Sequence, residues 1–489
     1  MVIFLSCQED EPAFNDNSTI ESVAIERNQI NEMLLKQTFE DNIEVDWRSF
    51  SDEQLWAAYQ FANNITIVGW EEGSTSTSEK NEILSFVRKS EGLTDNKDFV
   101  IEELENLQVL VLKVERKETL LGLKRMNRAA ELFEIGYEML SEEENLAIEE
   151  EERKSSENFS KSSVALSISN LGGTVIEYPT RFDYHGISTA WSRGLNGRNI
   201  GIAIIDSGVL EDDKTFGKNY GQNINGMNPS HLNKTYTQNG FYKWCTWCWW
   251  YGYDGVYTKG FDPLERGTKS LKIAAGPMGS RARTGELTGI SYASNVTSVR
   301  GSYSYYINRF ASLMAVTKSF EHLSEQGDVD IISTSLSRTL ASSMLSRAIK
   351  KCTSRGKLVF TAVGAIPESY YGSNLFFSMN RTATLFPARM SETYVCAGVI
   401  KDTKEWCNFC HGQADFVTEF GPTDINQSSS FSTATTAGIA GLIWGQNPNK
   451  SADQVVQEMI DISDNGNRRK GWRGHGRLHL KRYNLRNQL

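Results

Sequence analysis

One continuous apolar run, Ile200–Ile205, constrains the fold of this chain more than any other feature. A strand that is apolar at every position is typical of a parallel sheet, because such a sheet is buried on both faces. Similar runs follow, with helical segments between them: the runs are 296–299, 329–333, 358–363 and 394–400, and the helical segments 307–324 and 342–353. Strands that alternate with helices predict an α/β fold whose parallel sheet carries helices on both faces. We expect residues 181–489 to form this principal domain.

The first 180 residues have a different pattern of polar and apolar residues, and this pattern changes along the chain. Residues 8–60 are polar with helical patches and are expected to form an N-terminal helical or linker region. Residues 61–140 alternate strand-like with helical runs, at 65–70, 78–89, 109–114, 118–126 and 132–137. This order predicts a small α+β domain of the ferredoxin-like kind. Residues 141–180 begin with eight glutamates between 141 and 157 and are predicted to be an acidic, solvated linker.

The composition excludes several function classes. The formal net charge is −10, whereas a nucleic-acid-binding protein needs a basic face, so no nucleic acid partner is expected. No run of about 18 apolar residues occurs, and the sequence therefore predicts no membrane-spanning helix. A hydrophobic content of 39% with 23% charged residues is typical of a globular protein. Contact with a membrane would therefore require a lipid anchor.

Several segments of the principal domain resemble one protein family. The segment Ile200–Gly208, which contains Asp206, resembles the aspartate segment of the subtilisin-like serine proteases. Further matches follow in the order that this family has them, at 289–293, 330–336, 386–388, 428–434 and 474–478. Together they span about 300 residues, which is far more specific than one short motif. The resemblance implies a subtilisin-like fold for residues 181–489, and it implies that residues 61–140 correspond to the family's inhibitory, chaperone-like propeptide.

The resemblance also assigns the catalytic positions, and one of them carries the wrong side chain. Asp206 stands at the carboxylate position and Ser430 at the nucleophile position. Where the family has His-Gly-Thr, this chain has Arg266-Gly267-Thr268. An arginine stays charged and has no acceptor for a proton, so it cannot act as the general base. Beside Asp206 we expect it to form a bidentate ion pair.

A second catalytic group, the oxyanion donor, is also expected to be missing, independently of the base. Ala365 stands where the family has the asparagine that stabilises the oxyanion, and losing one such donor costs about 10²–10³ in rate. The resemblance places the substrate cleft at Ser335, Leu336, Ser337 and Gly364. A histidine from elsewhere could replace the missing base by a rearrangement, and the histidines are at positions 185, 231, 322, 411, 475 and 479.

Four of the seven cysteines form two CxxC pairs. Cys245 pairs in sequence with Cys248, and Cys407 with Cys410, which is the spacing of a tetrahedral zinc site. In a surface lipoprotein, disulfides within or across the pairs are the favoured interpretation, and a zinc site and free thiols are the alternatives. Apart from this possible zinc ion, no cofactor is predicted. Buried thiols that behave as small hydrophobic groups are expected at the two other internal positions, Cys352 and Cys396.

The first CxxC pair lies in an insertion at about 235–260 that is rich in aromatic residues, namely Trp244, Trp247, Trp249, Trp250, Tyr251 and Tyr253. In the subtilisin fold, loops at this point border the substrate cleft, at the carboxyl ends of the strands. An exposed cluster of this kind would be a contact surface for a peptide, a glycan or a partner protein. The alternative is a small separate core packed around the cysteines.

The seventh cysteine, Cys7, follows the short apolar run Val2–Ser6 and precedes an acidic stretch. This pattern resembles the acylation site of a bacterial lipoprotein, and the acidic residues resemble the surface-export signal of Bacteroidetes lipoproteins. The resemblance implies that residues 1–7 are the remnant of a signal and that the protein is exposed at the outer membrane. A complete signal peptide needs a basic region and about 7–15 apolar residues, so an ordinary N-terminus with a chance cysteine is the alternative.

These features favour a subtilisin-like pseudoprotease over two other functions. It would lack the catalytic base, keep the cleft, and bind a peptide or a partner protein at the cell surface. The first alternative is an active serine endopeptidase that uses Asp206 and Ser430 with a non-standard base. The second alternative is an accessory subunit of an outer-membrane complex, which would dock through the aromatic insertion.

Overall fold

The computed structural model describes an N-terminal helical region, a small α+β domain, called the module below, and a larger α/β domain. The described residues are 17–40, 45–71, 76–126, 130–139, 145–146, 150, 166–171, 174–208, 235–236, 266–276, 288–302, 304, 306–307, 309–364, 384–401, 413–421 and 427–483. In this part of the chain no helix combines the length and the apolar character that crossing a membrane requires.

Two helices precede the module. Helix α1 covers Asn17–Glu40 and α2 covers Asp52–Phe61. Helix α2 begins with a capping box, in which the Ser51 hydroxyl accepts from the Gln54 backbone and the Gln54 side chain accepts from the Ser51 backbone. Such a box satisfies two of the N–H groups that a helix start leaves unpaired. Both helices lie where the sequence shows helical patches.

The module has the element order strand, helix, strand, strand, helix, strand. Its elements are β1 (Ile65–Gly69), α3 (Ser76–Glu91), β2 (Val100–Leu104), β3 (Val109–Lys113), α4 (Lys117–Arg125) and β4 (Leu132–Ile135). The sheet is antiparallel with the order β2-β3-β1-β4, which is the ferredoxin-like arrangement. Of the strands and α-helices of the module, only β2 was not predicted from the sequence. This edge strand is half-exposed along most of its length and carries two glutamates.

The α/β domain is preceded by a two-stranded hairpin of β5 (Leu166–Leu171) and β6 (Thr174–Pro179), within the range assigned to the acidic linker. Its eight-stranded sheet has the order β14-β13-β12-β11-β10-β7-β9-β8, and its strand pairs are parallel. These strands are β7 (Gly201–Asp206), β8 (Thr235–Tyr236), β9 (Asn295–Arg300), β10 (Ile331–Thr334), β11 (Leu358–Ala362), β12 (Tyr394–Ile400), β13 (Phe416–Phe420) and β14 (Gly476–Arg477). The predicted fold class is confirmed.

Helices cover both faces of this sheet. They are α5 (Arg181–His185), α6 (Ile187–Ser192), α7 (Arg266–Ala275), α8 (Phe310–Glu325), α9 (Ser343–Ser354), α10 (Ser429–Trp444) and α11 (Ala452–Asp461). Short 3₁₀ turns lie at Trp47–Ser49, Asn96–Asp98, Glu105–Leu107, Gly471–Arg473 and Leu480–Arg482. Strand β7 shows why its sequence is apolar throughout. Ile202 and Ile204 join the core on the α7 and α10 side, while Ala203 and Ile205 join the core on the α8 and α9 side.

The module packs through one face of its sheet onto the α/β domain. Side chains that alternate along its strands divide between two cores, as a strand period of two requires. Val68 belongs to the core beneath the helices of the module, whereas Ile67 belongs to the core that also holds Leu313 of α8 and Ala348 of α9. The guanidinium of Arg347 in α9 adds hydrogen bonds to backbone carbonyls of the module, among them that of Trp70 at 2.8 Å. The module and the α/β domain therefore share one apolar core.

Two carboxylates of the module cap helices of the α/β domain. Glu134, on β4, is buried, and its Oε2 accepts from the Ser342 hydroxyl at 3.1 Å and from the Met344 N–H at 3.2 Å, at the start of α9. Glu138 Oε1 accepts from the Phe310 N–H at 2.7 Å, at the start of α8. A helix start carries unpaired N–H groups and a partial positive charge, so a carboxylate there is stabilising.

Candidate functional site

The candidate site lies where β7 ends, at the carboxyl edge of the parallel sheet. Asp206 is the last residue of β7, and its side chain is only 1% exposed. The Ser207 backbone N–H donates to Asp206 Oδ1 at 2.8 Å, and the Ser270 hydroxyl donates to Oδ2 at 3.4 Å. In parallel sheets, functional groups collect at this edge because the strands end there together. Asp206 is therefore a fixed, desolvated acceptor.

Arg266 is the first residue of α7 and is buried. A close backbone contact sets the position of this helix start. An ideal Cβ at Gly267 would lie 2.1 Å from the carbonyl oxygen of Gly208, so only glycine lets the two segments approach. The Gly267 N–H also donates to the Ser207 hydroxyl at 3.1 Å. This contact holds the helix start against the end of β7, which brings the guanidinium of Arg266 to Asp206.

Ser430 lies at the start of α10, and its hydroxyl is the main partner of Arg266. Arg266 Nη2 donates to Ser430 Oγ at 2.8 Å and Nε donates to the same oxygen at 3.1 Å. Nη2 also donates to the backbone carbonyl of Ser335 at 2.7 Å. The structure therefore brings three of the predicted catalytic positions together, although they are far apart in sequence.

The predicted bidentate pair between Arg266 and Asp206 is corrected by this geometry. The two side chains do form an ion pair, but Nε lies 3.7 Å from Asp206 Oδ1. A charge-assisted hydrogen bond would be about 2.7–2.9 Å long. The reason is that Nε and Nη2 both point at the Ser430 hydroxyl, so the edge of the guanidinium that would clamp a carboxylate is used by a serine.

The predicted cleft residues follow the ends of β10 and β11. The Ile307 N–H donates to the Ser337 carbonyl at 2.7 Å, and Leu336 between Ser335 and Ser337 is buried. Gly364 follows β11 with φ +79°, and an ideal Cβ there would lie 2.9 Å from Cβ of Leu385. A positive φ and a close neighbour both favour glycine at this position. Ala365, the predicted site of the lost oxyanion donor, lies outside the described residues.

Several other predicted site residues also lie outside the described residues. They are Cys7, both CxxC pairs (Cys245, Cys248, Cys407 and Cys410) and the aromatic residues of the insertion. In the part of the chain that is described, no group of three or more His, Cys, Asp or Glu side chains could hold a metal ion. The described cysteines, Cys352 and Cys396, are buried free thiols, as predicted. Burial raises the pKa of each to about 12, so both are unreactive near neutral pH.

Histidines in the described part of the chain have structural partners. His475 Nδ1 lies 2.8 Å from the Gly466 carbonyl, and His479 Nε2 lies 2.6 Å from Asp464 Oδ1. His185, at the end of α5, is fully buried. Its Nδ1–H donates to the Leu478 carbonyl at 2.9 Å, and its Nε2 accepts from the Glu419 N–H at 3.2 Å. Among the described residues, the side chain that donates to the Ser430 hydroxyl is that of Arg266 and not that of a histidine.

The environment of His185 makes stability depend on pH. Burial lowers its pKa to about 3, and the positive charges of Arg477, His479 and Arg181 act in the same direction. The ordinary pKa is about 6.5, so below that pH the unfolded chain binds a proton that the folded chain does not. Stability from this group is complete above pH 6.5 and is lost as the pH falls towards 3. We expect a loss of about 2 kcal/mol in the free energy of unfolding between pH 7 and pH 5.

His185→Gln tests this expectation, because glutamine can donate and accept a hydrogen bond but does not titrate. Urea unfolding of both proteins at several pH values measures the difference. The wild-type protein should lose more stability than the variant as the pH falls. Parallel curves for the two proteins would show that His185 does not cause the dependence.

Comparisons with known proteins find only distant similarities to this chain. No protein-family model matches it, and no curated protein does. Among solved structures, it is similar to MycP1 from the ESX-1 type VII secretion system, with 13% identity, a TM-score of 0.45, and coverage of 65% of this chain and 88% of that one. It is also similar to MycP1 from Mycobacterium smegmatis, with 14% identity, a TM-score of 0.42, and coverage of 65% and 87%. The MycP3 protease of the ESX-3 system shares 16% identity, with a TM-score of 0.42 and coverage of 65% and 91%.

Proposed function

We propose that this protein is a pseudoprotease: a protease-related α/β domain that binds a peptide or a partner protein and does not hydrolyse it. One observation carries the proposal. The side chain that contacts the hydroxyl of Ser430 is a guanidinium, which donates to Oγ through two nitrogens, at 2.8 and 3.1 Å.

Serine protease chemistry needs a proton acceptor beside the serine hydroxyl, whereas Arg266 is a donor. The base must accept the proton of the hydroxyl while the oxygen attacks the carbonyl carbon. A guanidinium has five N–H donors and no atom that can accept a proton, so it cannot act as the base. Its two hydrogen bonds also engage the lone pairs with which Ser430 Oγ would attack. Ser430 is therefore an acceptor in a structural cluster with Arg266 and Asp206.

The ion pair gives this cluster a role in the fold. Asp206 is 1% exposed, and a buried carboxylate without a positive partner is strongly unfavourable. Arg266 compensates its charge, and it ties the ends of β7 and β10 to the starts of α7 and α10 through its contacts with Asp206, Ser335 and Ser430. The residues that would be catalytic in a protease therefore stabilise the fold beside the predicted cleft in this protein.

The location and the partner belong to the same proposal. The lipoprotein-like pattern at Cys7 supports a lipid-anchored protein at the surface of a bacterial outer membrane. The acidic net charge supports a peptide or protein ligand over a nucleic acid. The partner would engage the cleft beside Ser335–Ser337, and the aromatic insertion at about 235–260 would extend that contact surface.

A serine-directed fluorophosphonate tests the chemical part of the proposal. We expect no labelling of wild-type protein at Ser430, because an unactivated serine does not react with such probes. The control is Ser430→Ala, with an active serine protease in the same reaction to show that the probe is competent. Labelling of the wild-type protein that disappears in Ser430→Ala would overturn the proposal and favour an active endopeptidase with a non-standard base.

A further inference from the structure

Helix α1 lies across the segment through which the chain leaves the module. Arg27 Nη2 donates to the carbonyl of Glu138 at 2.9 Å. Asn31 Nδ2 donates to the carbonyl of Met139 at 3.2 Å, and Asn31 Oδ1 accepts from the hydroxyl of Tyr137 at 2.8 Å. Two side chains one helical turn apart thus bind three consecutive residues, 137–139. Asn31 and Tyr137 are both buried, so their hydrogen bond is shielded from water.

The same exit segment is held from its other side by the α/β domain. The carboxylate of Glu138 caps the start of α8 through the Phe310 N–H, while its carbonyl accepts from Arg27. Glu138 is therefore a junction between α1, the module and the α/β domain. Pulling the module away from α8 would also disturb the contact with α1.

The far end of α1 reaches the α/β domain directly. Arg389 Nη1 donates to the carbonyl of Thr38, and Nη2 donates to the carbonyl of Thr339 at 2.8 Å. Thr38 is fully buried, and the partial burial of Arg389 lowers the pKa of its guanidinium to about 10. From Arg27 to Thr38 the helix axis covers about 17 Å. One helix therefore joins the exit of the module to a point outside the module.

We infer that α1 is a strap that fastens the module permanently to the α/β domain. The strap works without the covalent connection through residues 140–165, because its contacts lie on both sides of that connection. The module is then a resident part of the mature protein rather than a segment that leaves after folding. This inference does not depend on whether Ser430 is reactive.

A cut in the covalent connection tests the strap. A recognition sequence for a site-specific protease is inserted between Lys154 and Ser163, and the purified full chain is cleaved. The N-terminal fragment carries a fluorophore, and its exchange with an excess of unlabelled fragment is followed over time. We expect the wild-type fragments to stay together through gel filtration and to exchange slowly.

Variants at the two ends of α1 should accelerate this exchange. Asn31→Ala removes two hydrogen bonds to the exit segment and should exchange roughly tenfold faster, and Tyr137→Phe, which keeps the aromatic ring, should also exchange faster. The matched control is Asn28→Ala, an exposed amide on the same helix, which should exchange at the wild-type rate. Equal rates for Asn31→Ala and Asn28→Ala would overturn the inference.

Arg389→Ala distinguishes two interpretations of α1: a strap that connects the module to the α/β domain, or a helix that belongs to the module alone. Arg389 lies outside the module, so its loss removes no contact between two parts of the module, yet it should accelerate exchange several-fold. Arg355→Ala, which removes an exposed ion pair with Glu325 in the same domain, is the control. If Asn31→Ala accelerates exchange and Arg389→Ala does not, α1 is part of the module alone and the strap is refuted.

Discussion

Arg266→His should make Ser430 react with a fluorophosphonate that the wild-type protein ignores. The substitution removes the two hydrogen bonds that occupy Oγ and supplies an imidazole, whose ordinary pKa of about 6.5 suits a general base. Asp206 is in place to orient the ring, since its carboxylate lies buried beside position 266. A correctly placed base contributes about 10²–10⁴ in rate. We expect labelling of Arg266→His to be faster than that of the wild-type protein by about this factor.

Arg266→Gln is the matched control, because it removes the guanidinium without supplying a base. It should remain unlabelled. Adding Ala365→Asn to Arg266→His should raise the rate of peptide hydrolysis by a further factor of about 10²–10³, the contribution of one oxyanion donor. Thermal unfolding of each variant shows whether the fold survives. Equal labelling of Arg266→His and Arg266→Gln would mean that the absence of a base at position 266 does not explain the lack of labelling at Ser430.

Glu134→Ala should destabilise the whole protein by about 3–5 kcal/mol, the usual result of removing one partner from a buried, hydrogen-bonded charge cluster. Glu134 is 3% exposed and caps the start of α9 through Ser342 and Met344. It also faces Arg338, a buried guanidinium of the α/β domain. Burial lowers the pKa of Arg338, and the negative charges of Glu134 and Glu138 oppose that effect. Without Glu134, both the helix start and this cation lose a carboxylate.

Urea unfolding measures this loss, and Glu131→Ala is its control. Glu131 pairs with Arg347 of α9 at 3.0 Å across the same contact between domains, but its side chain is 57% exposed. Exposed ion pairs contribute about 0–1 kcal/mol, so the control should change the free energy of unfolding by no more than that. A similar small effect for Glu134→Ala would show that the capping contact is not stabilising.

Much of the architecture could be predicted because it follows from local patterns. The apolar run of β7 and the runs at β9 to β12 predicted a buried parallel sheet, and the structure places strands at each of them. Strand β2 of the module was missed, since a half-exposed edge strand lacks the alternation that identifies a strand. The role of α1 could not be predicted either. Its partners include carbonyl groups at 138 and 139, the Tyr137 hydroxyl and a guanidinium at 389, and no local sequence pattern identifies such pairs.

The candidate site divides in the same way. The sequence by itself determined that residue 266 is an arginine, and residue identity alone decides whether a side chain can accept a proton. It also predicted that Asp206 and Ser430 belong to the same site. Only the tertiary structure decided that Arg266 binds the Ser430 hydroxyl more closely than the Asp206 carboxylate. That choice depends on how near the start of α7 lies to the end of β7 and to the start of α10, and the backbone contact between Gly267 and Gly208 fixes the position of the α7 start against β7. Contacts between segments remote in sequence fix such distances, and no local pattern encodes them.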